Sequence, residues 1–258
     1  MGRLHAALSL ALFLFGCGGS QSPDDASKQK DEGITIGDRG DGTRRSMTPG
    51  GTDDGDDDGM EVEGLKGHIS QYDINKGVQK RAGAIDKCYR GQLAGRKYVG
   101  GEIELSYVVK RDGTVKKALI SKSNLGDWSI EQCLRNVAMG MKFVKPKGGE
   151  AEFSVPLEFE SRSKALWWGD DRATTEVSEK IAALEECATK AGAAAPPVTW
   201  VTAYVGNRGE VQSVGFAEPS GGLSAEWAAC AVEVVKAWPL SDPTGKIAKL
   251  SFRFPVES

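Results

Sequence analysis

VQKRAGAIDKCY, residues 78–89, and VSEKIAALEECA, residues 177–188, are two versions of one pattern. Shifting the chain so that Cys88 falls on Cys187 also places Val78 on Val177 and Ile85 on Leu184. In the first stretch Val78, Ala82, Ile85, Cys88 and Tyr89 fall at helical spacing. In the second, Val177, Ile181, Leu184, Cys187 and Ala188 do the same. Apolar residues at three- and four-residue steps line one face of an amphipathic helix. Each stretch is therefore predicted to be such a helix, with its cysteine on or beside the buried stripe.

The correspondence continues downstream. Ile103, Leu105, Tyr107 and Val109 alternate along one face of a strand, the turn Arg111-Asp112-Gly113-Thr114 follows, and Val115 to Ser121 returns. Val198 to Val205, Gly206-Asn207-Arg208-Gly209 and Val211 to Phe216 repeat that hairpin. Gly113 supplies the positive φ such a turn needs. A second helix carries Ile130, Cys133, Leu134 and Val137, matched by Trp227, Cys230, Ala231 and Val234. Phe143 with Pro146, and Trp238 with Pro239, are stop signals after these helices. The strands Phe153–Phe159 and Leu250–Phe254 close the two copies. Pro156 has no amide donor, which places its strand at an edge or a bulge. The expected fold class is α+β: a tandem repeat of two α-β-β-α-β modules, each a small three-stranded antiparallel sheet with two helices on one face.

The N-terminus reads as an export signal. Arg3 gives a short positive region, and Ala6–Phe15 is an apolar run of about ten residues, too short to span a bilayer. The run ends in Leu14-Phe15-Gly16-Cys17, which resembles a bacterial lipobox. That resemblance implies cleavage before Cys17 and acylation of Cys17, although Phe15 is bulkier than the usual residue. An ordinary signal peptide cleaved elsewhere is the alternative. Several acyl chains would give stable membrane attachment. Gly18 is not an acidic retention residue of the enterobacterial kind, so a periplasm-facing outer-membrane lipoprotein is expected. The predicted organisation is a signal peptide at 1–16, lipidated Cys17 with an acidic Gly/Asp-rich tether at 17–64, a first module at 65–162, a Trp-containing linker at 163–173 and a second, diverged module at 174–258. The tether is too poor in aliphatics to bury a core.

Export permits disulfides. The four cysteines after Cys17 allow three connectivities, and the duplication favours Cys88–Cys133 and Cys187–Cys230. Each bond would close a loop of roughly 45 residues, a constraint of about 4 kcal/mol. A zinc site competes poorly, because no C-x-x-C occurs and only His68 remains after the leader. The net charge of −3 argues against a nucleic-acid partner.

Gly83…Cys88-Tyr89…Leu93, Gly101…Val109…Asp112-Gly113-Thr114-Val115, Cys133…Phe143…Pro146 and Pro156-Leu157-Glu158-Phe159 together resemble the C-terminal domain of myxobacterial gliding-motility proteins of the AgmX/PglI type. That domain is similar to the TonB C-terminal domain. The resemblance covers about residues 65–160; the second copy has Cys187-Ala188 in place of the Cys-Tyr pair. It implies a non-catalytic envelope module, with no ligand specified. The chain lacks the transmembrane helix and Pro-rich spacer of an energy-transducing TonB protein.

Candidate sites are few. Asp54, Asp56, Asp58 and Gly59 match the start of an EF-hand loop, but Leu65 stands where the bidentate Glu belongs, so a solvated acidic linker is the expected reading. Arg39-Gly40-Asp41 is a chance tripeptide in that linker. Trp167 and Trp168 either fix the junction between copies or anchor a partner or a glycan. Trp200, Thr202 and Tyr204 would line an apolar outer strand face, where the first copy has Glu102, Glu104 and Ser106; the other copy or the Trp167–Trp168 segment is expected to cover it, with a partner protein as the alternative. Lys116, Lys117, Lys122 and Arg111 form a basic hairpin face. No nucleophile–base–orienter set and no phosphate-binding Gly loop is present, so the chain is expected not to be an enzyme and to need no cofactor or small-molecule substrate. The expected function is a lipid-tethered module that binds another envelope protein. A passive structural protein touching cell-wall polymer is the alternative, and a carboxylate-only enzyme a distant third.

Overall fold

The computed structural model describes the backbone of Thr35 and Ile36 and residues 66–255, apart from 195 and 197. Cys17, Arg39-Gly40-Asp41, the Asp54–Asp58 run, the leader and the tether lie outside the described residues, save Thr35 and Ile36. The fold is α+β, with two antiparallel hairpins, each joined by a third antiparallel strand and overlaid by helices. Among the described residues no helix is long and apolar enough to cross a membrane.

The first sheet has the order β1-β4-β2-β3, with β1 at Thr35–Ile36, β2 at Gly101–Val109, β3 at Val115–Ser123 and β4 at Ala151–Phe159. The second has the order β5-β8-β6-β7, with β5 at Leu166–Trp168, β6 at Thr199–Val205, β7 at Val211–Ala217 and β8 at Ala248–Phe254. Ile103, Leu105, Tyr107 and Val109 are buried, as their alternation predicts. The hairpin turns share a detail that fixes their glycines. Gly113 has φ +87° and accepts a bond from Phe143 N at 2.9 Å; Gly209 has φ +84° and accepts one from Leu240 N at 3.1 Å. A Cβ would sit 2.4 Å from Phe143 O in the first and 2.0 Å from Leu240 O in the second. Glycine is thus required twice over, by φ and by contact.

Helices α1 (Gln71–Gln79), α2 (Ala82–Gln92) and α3 (Trp128–Met139) accompany the first sheet, and α4 (Asp170–Val177), α5 (Glu186–Ala191) and α6 (Ala225–Lys236) the second. Asp127 caps α3 by accepting from Ile130 N at 3.2 Å, and Ser224 caps α6 by accepting from Trp227 N at 3.0 Å. Cys88 of α2 is bonded to Cys133 of α3, and Cys187 of α5 to Cys230 of α6. Two disulfides point to an oxidising, extracytoplasmic compartment. Tyr89, beside the first bond, reaches the carbonyls of Val99 and Glu160 at 2.8 Å each and lies on the Phe159 ring. It ties α2 to the ends of β2 and β4.

Three expectations are corrected. Neither opening helix is continuous. The first breaks at Arg81 (φ −112°, ψ 4°), between Gly77 and Gly83, which weaken helix on both sides. The second passes from α4, whose Thr174, Thr175 and Val177 are stiff and poor helix formers, through a 3-10 turn at Ile181–Leu184. The supposed linker at 163–173 is also structured. Leu166–Trp168 pairs in parallel with β8, and α4 begins at Asp170. Three residues are too few to display a strand period. Finally, each sheet has a fourth strand. Pro156 fits β4 because β1 pairs with that strand only at Leu157 and Glu158.

Replacing Cys187 and Cys230 by alanine should lower unfolding stability by about 4 kcal/mol. Urea unfolding of the two-alanine variant measures it, and reductant should then cost that variant a similar amount again through Cys88–Cys133.

Candidate functional site

The outer face of the second sheet can be read from its registers. Trp167 lies opposite Lys249, Lys249 opposite Tyr204, Ser251 opposite Thr202, and Arg253 opposite Trp200; β7 adds Ser213, Gly215 and Ala217. This face is divided. One part is covered by the first half of the chain, and the other is open.

The covered part centres on Tyr204, which is 1% exposed. Its hydroxyl donates to Gly100 O at 2.9 Å and accepts from Gly100 N at 3.2 Å. Lys249 Nζ donates to the same Gly100 carbonyl at 2.9 Å and lies 5.2 Å from the Tyr204 ring. Tyr98 packs on Tyr204 with ring centres 5.1 Å apart. Gly126 completes the seat, since a Cβ there would be 3.0 Å from the Tyr204 ring and 3.1 Å from the Thr202 methyl. Trp128 meets Phe216 edge-on at 5.7 Å, and Glu218 N donates to Ile120 O at 2.9 Å.

Glu131 is the polar centre of this junction. It is fully buried on α3, and its carboxylate accepts from Ser123 Oγ at 2.7 Å and, across the junction, from Phe216 N at 2.7 Å. Gly215 makes room for it; a Cβ there would lie 2.3 Å from Oε1. Burial pushes the Glu131 carboxyl up to about 7, against the pull of the bonds from Ser123, Phe216 and Gly126. Burial likewise brings Lys249 down to about 8, although Glu131 opposes that shift. Asp127 lies close by, raised by burial despite its ion pair with Arg96.

The open part holds Trp167, 52% exposed, and Trp200, 44% exposed. Arg253 lies over Trp200, 5.5 Å from the ring centre. Beside them runs a groove of about 500 Å³ between α4 and β8. Val177, Ile181, Phe252 and Trp200 give it apolar lining, and Asp170 and Arg253 one charge of each sign. β5 pairs with β8 over Ala248–Leu250, so its last residue, Trp168, ends opposite Leu250.

Comparison with known proteins finds no family model, no curated protein and no solved structure that matches this chain.

Of the four candidate partner contacts, Trp167 and Trp200 are exposed and Trp168 and Tyr204 are buried. Trp168 is buried, with the Arg172 guanidinium 3.9 Å from its ring centre, because it is the inward member of β5. Tyr204 is buried by Gly100 and Tyr98 of this same chain. Trp167 and Trp200 stay open on one face. The basic hairpin is largely engaged: Lys116 pairs with Glu150 at 2.8 Å, Lys122 with Glu104 at 3.3 Å, and Lys117 bonds Ser220 O at 3.3 Å. Sequence reasoning missed Glu131. Its signal was present, since Asp127, Glu131, Leu134 and Ala138 fall on one helical stripe.

Glu131 gives the chain a pH dependence of defined sign. Its folded pKa lies above the value of about 4.5 expected unfolded, so the folded state keeps a proton that the unfolded state has lost. That stabilisation is complete below about 4.5, fades as pH rises through the folded value near 7, and amounts to roughly 3 kcal/mol. Urea unfolding across that window should show the decline, and Glu131→Gln should flatten it. An unchanged slope in the glutamine variant would assign the effect elsewhere.

Proposed function

We propose that this chain is a lipid-anchored cell-envelope protein whose two similar modules form a non-catalytic protein-interaction or scaffold unit, serving an envelope or motility complex. In this reading the two halves are copies of one TonB-C-like module. Matching strand orders, one disulfide per half, equivalent capped helices and equivalent hairpin glycines support the duplication. Acylation at Cys17 and an outer-membrane location rest on the N-terminal sequence, and the two disulfides accord with them.

The observation that carries the interaction role is the groove beside β8, with Trp200 half-exposed at its wall and Trp167 on the same face. Tryptophan and arginine together are the residue types that dominate binding energy at protein interfaces. β5 ends at Trp168, and the β8 edge beyond it borders the groove, where an extended peptide of another envelope protein can lie. The lining has one carboxylate, Asp170, and no imidazole or thiol, which suits recognition better than acid–base chemistry.

Photo-crosslinking in cells from a reactive residue at position 200 should capture one stoichiometric envelope protein. Trp200→Ala should then weaken that complex by about thirtyfold, the loss of one hot spot of about 2 kcal/mol, without moving the melting temperature. Crosslinks to cell-wall polymer alone, with retention on purified wall, would favour the passive structural role.

A further inference from the structure

A second cleft, of about 490 Å³, lies on the first half between α1 and the segment that follows α3. Four cations line it: Lys76, Lys80 and Arg81 from the first chain segment, and Lys142 from the second. Its single carboxylate, Asp73, is committed to the helix cap, accepting from Ser70 Oγ at 2.6 Å. Lys66, Lys116, Lys122 and Lys190 each have a carboxylate within 4 Å. Among the described residues none of the four cleft cations does. Asp112 is near enough to Lys142 to feel its charge, but it is held by Thr114.

Clustered like charges repel, and Lys76 and Lys80 stand one turn apart on a single helix face. Cations near the end of α1 also offset its dipole, which accounts for Lys76 and Lys80. It does not account for Lys142, which comes from another segment. The fold draws that segment in. At Gly77 a Cβ would lie 2.5 Å from the Phe143 ring, so only glycine lets α1 settle on Phe143 and bring Lys142 to the rim. Phe143 is in turn fixed by edge contacts with Tyr107 and Phe153 at 5.5 and 5.1 Å. Arg81 is oriented by its bond to Gly140 O at 3.1 Å. The cations therefore surround a rigid floor. Val144, 46% exposed, is part of the wall, and Tyr72, 71% exposed, lies under Lys76.

We propose that this cleft binds a phosphate-bearing anion. Compact, multiply charged oxyanions suit convergent lysines and an arginine, and the apolar wall suits the organic part of a phosphate ester. The site is separate from the groove beside β8, and its test does not depend on that groove.

The test uses the full chain carrying Cys17→Ala, so that no acyl group contributes. Inorganic pyrophosphate is titrated by calorimetry in physiological salt, and vesicles of phosphatidylglycerol in phosphatidylcholine are compared with phosphatidylcholine alone. Saturable binding is expected in at least one arm. Pyrophosphate binding alone identifies a soluble phosphate ligand, and phosphatidylglycerol binding identifies a lipid headgroup. The double variant Lys80→Gln/Lys142→Gln should weaken binding at least about tenfold, while Lys116→Gln on the hairpin should leave it unchanged. Melting curves confirm that both variants fold. Absence of saturable binding in both arms overturns the proposal, and so does an equal loss in the Lys116→Gln variant.

Discussion

The contact on which the architecture depends is the seating of β6 and β7 against the first half. Two polar groups define it. The Tyr204 hydroxyl satisfies both the amide and the carbonyl of Gly100, and Glu131 satisfies Phe216 N, an amide on the edge strand of the second sheet. A strand edge buried without such partners would be costly, because an unpaired buried amide loses its hydration with nothing in return. Ser123, Gly126 and Gly215 all shape the place where one carboxylate meets that edge. Both sheets accordingly belong to one compact unit.

The same seat divides the outer face of the second sheet. Tyr204, Thr202 and Lys249 are used internally, and what they leave is Trp167, Trp200 and Arg253. The open aromatic surface is thus confined to the end of the sheet where β5 has stopped and α4 crosses beside β8. Exposed tryptophans scattered over a sheet would say little. Two on one face, beside a groove, form a coherent surface.

Most of the secondary structure was legible because it was written in period. Alternation located β2, β4, β6 and β8, three- and four-residue spacing located α3 and α6, and the matched cysteines suggested the connectivity. Breaks in the opening helices were not legible. Gly77 and Gly83 weaken the helix around Arg81 without marking a stop in the sequence, and across that break α1 packs on Phe143 while α2 is bonded to α3. β5 was missed because three residues carry no period. The apolar outer face of β6 was legible as a face needing cover, and the first half as a source of it, but the residues that form the cover were not. Gly100 and Gly126 provide it through backbone atoms and through missing side chains, which leave no pattern in a sequence.

The two halves differ where their surroundings differ. On β2 the outer positions are Glu102, Glu104 and Ser106, and they face solvent or each other through Ser106–Ser121 and Ser106–Ser154 bonds of 2.8 Å. On β6 the equivalent positions are Trp200, Thr202 and Tyr204, and the first half covers two of them. Tyr89 follows the same logic in reverse. It reaches Val99 O and Glu160 O, the backbone flanking Gly100, and so stabilises the strand ends that receive Tyr204. The second half has Ala188 at the position after its first cysteine. Cys88-Tyr89 against Cys187-Ala188 thus follows the contact: the half that receives Tyr204 carries the tyrosine that braces the receiving strand ends.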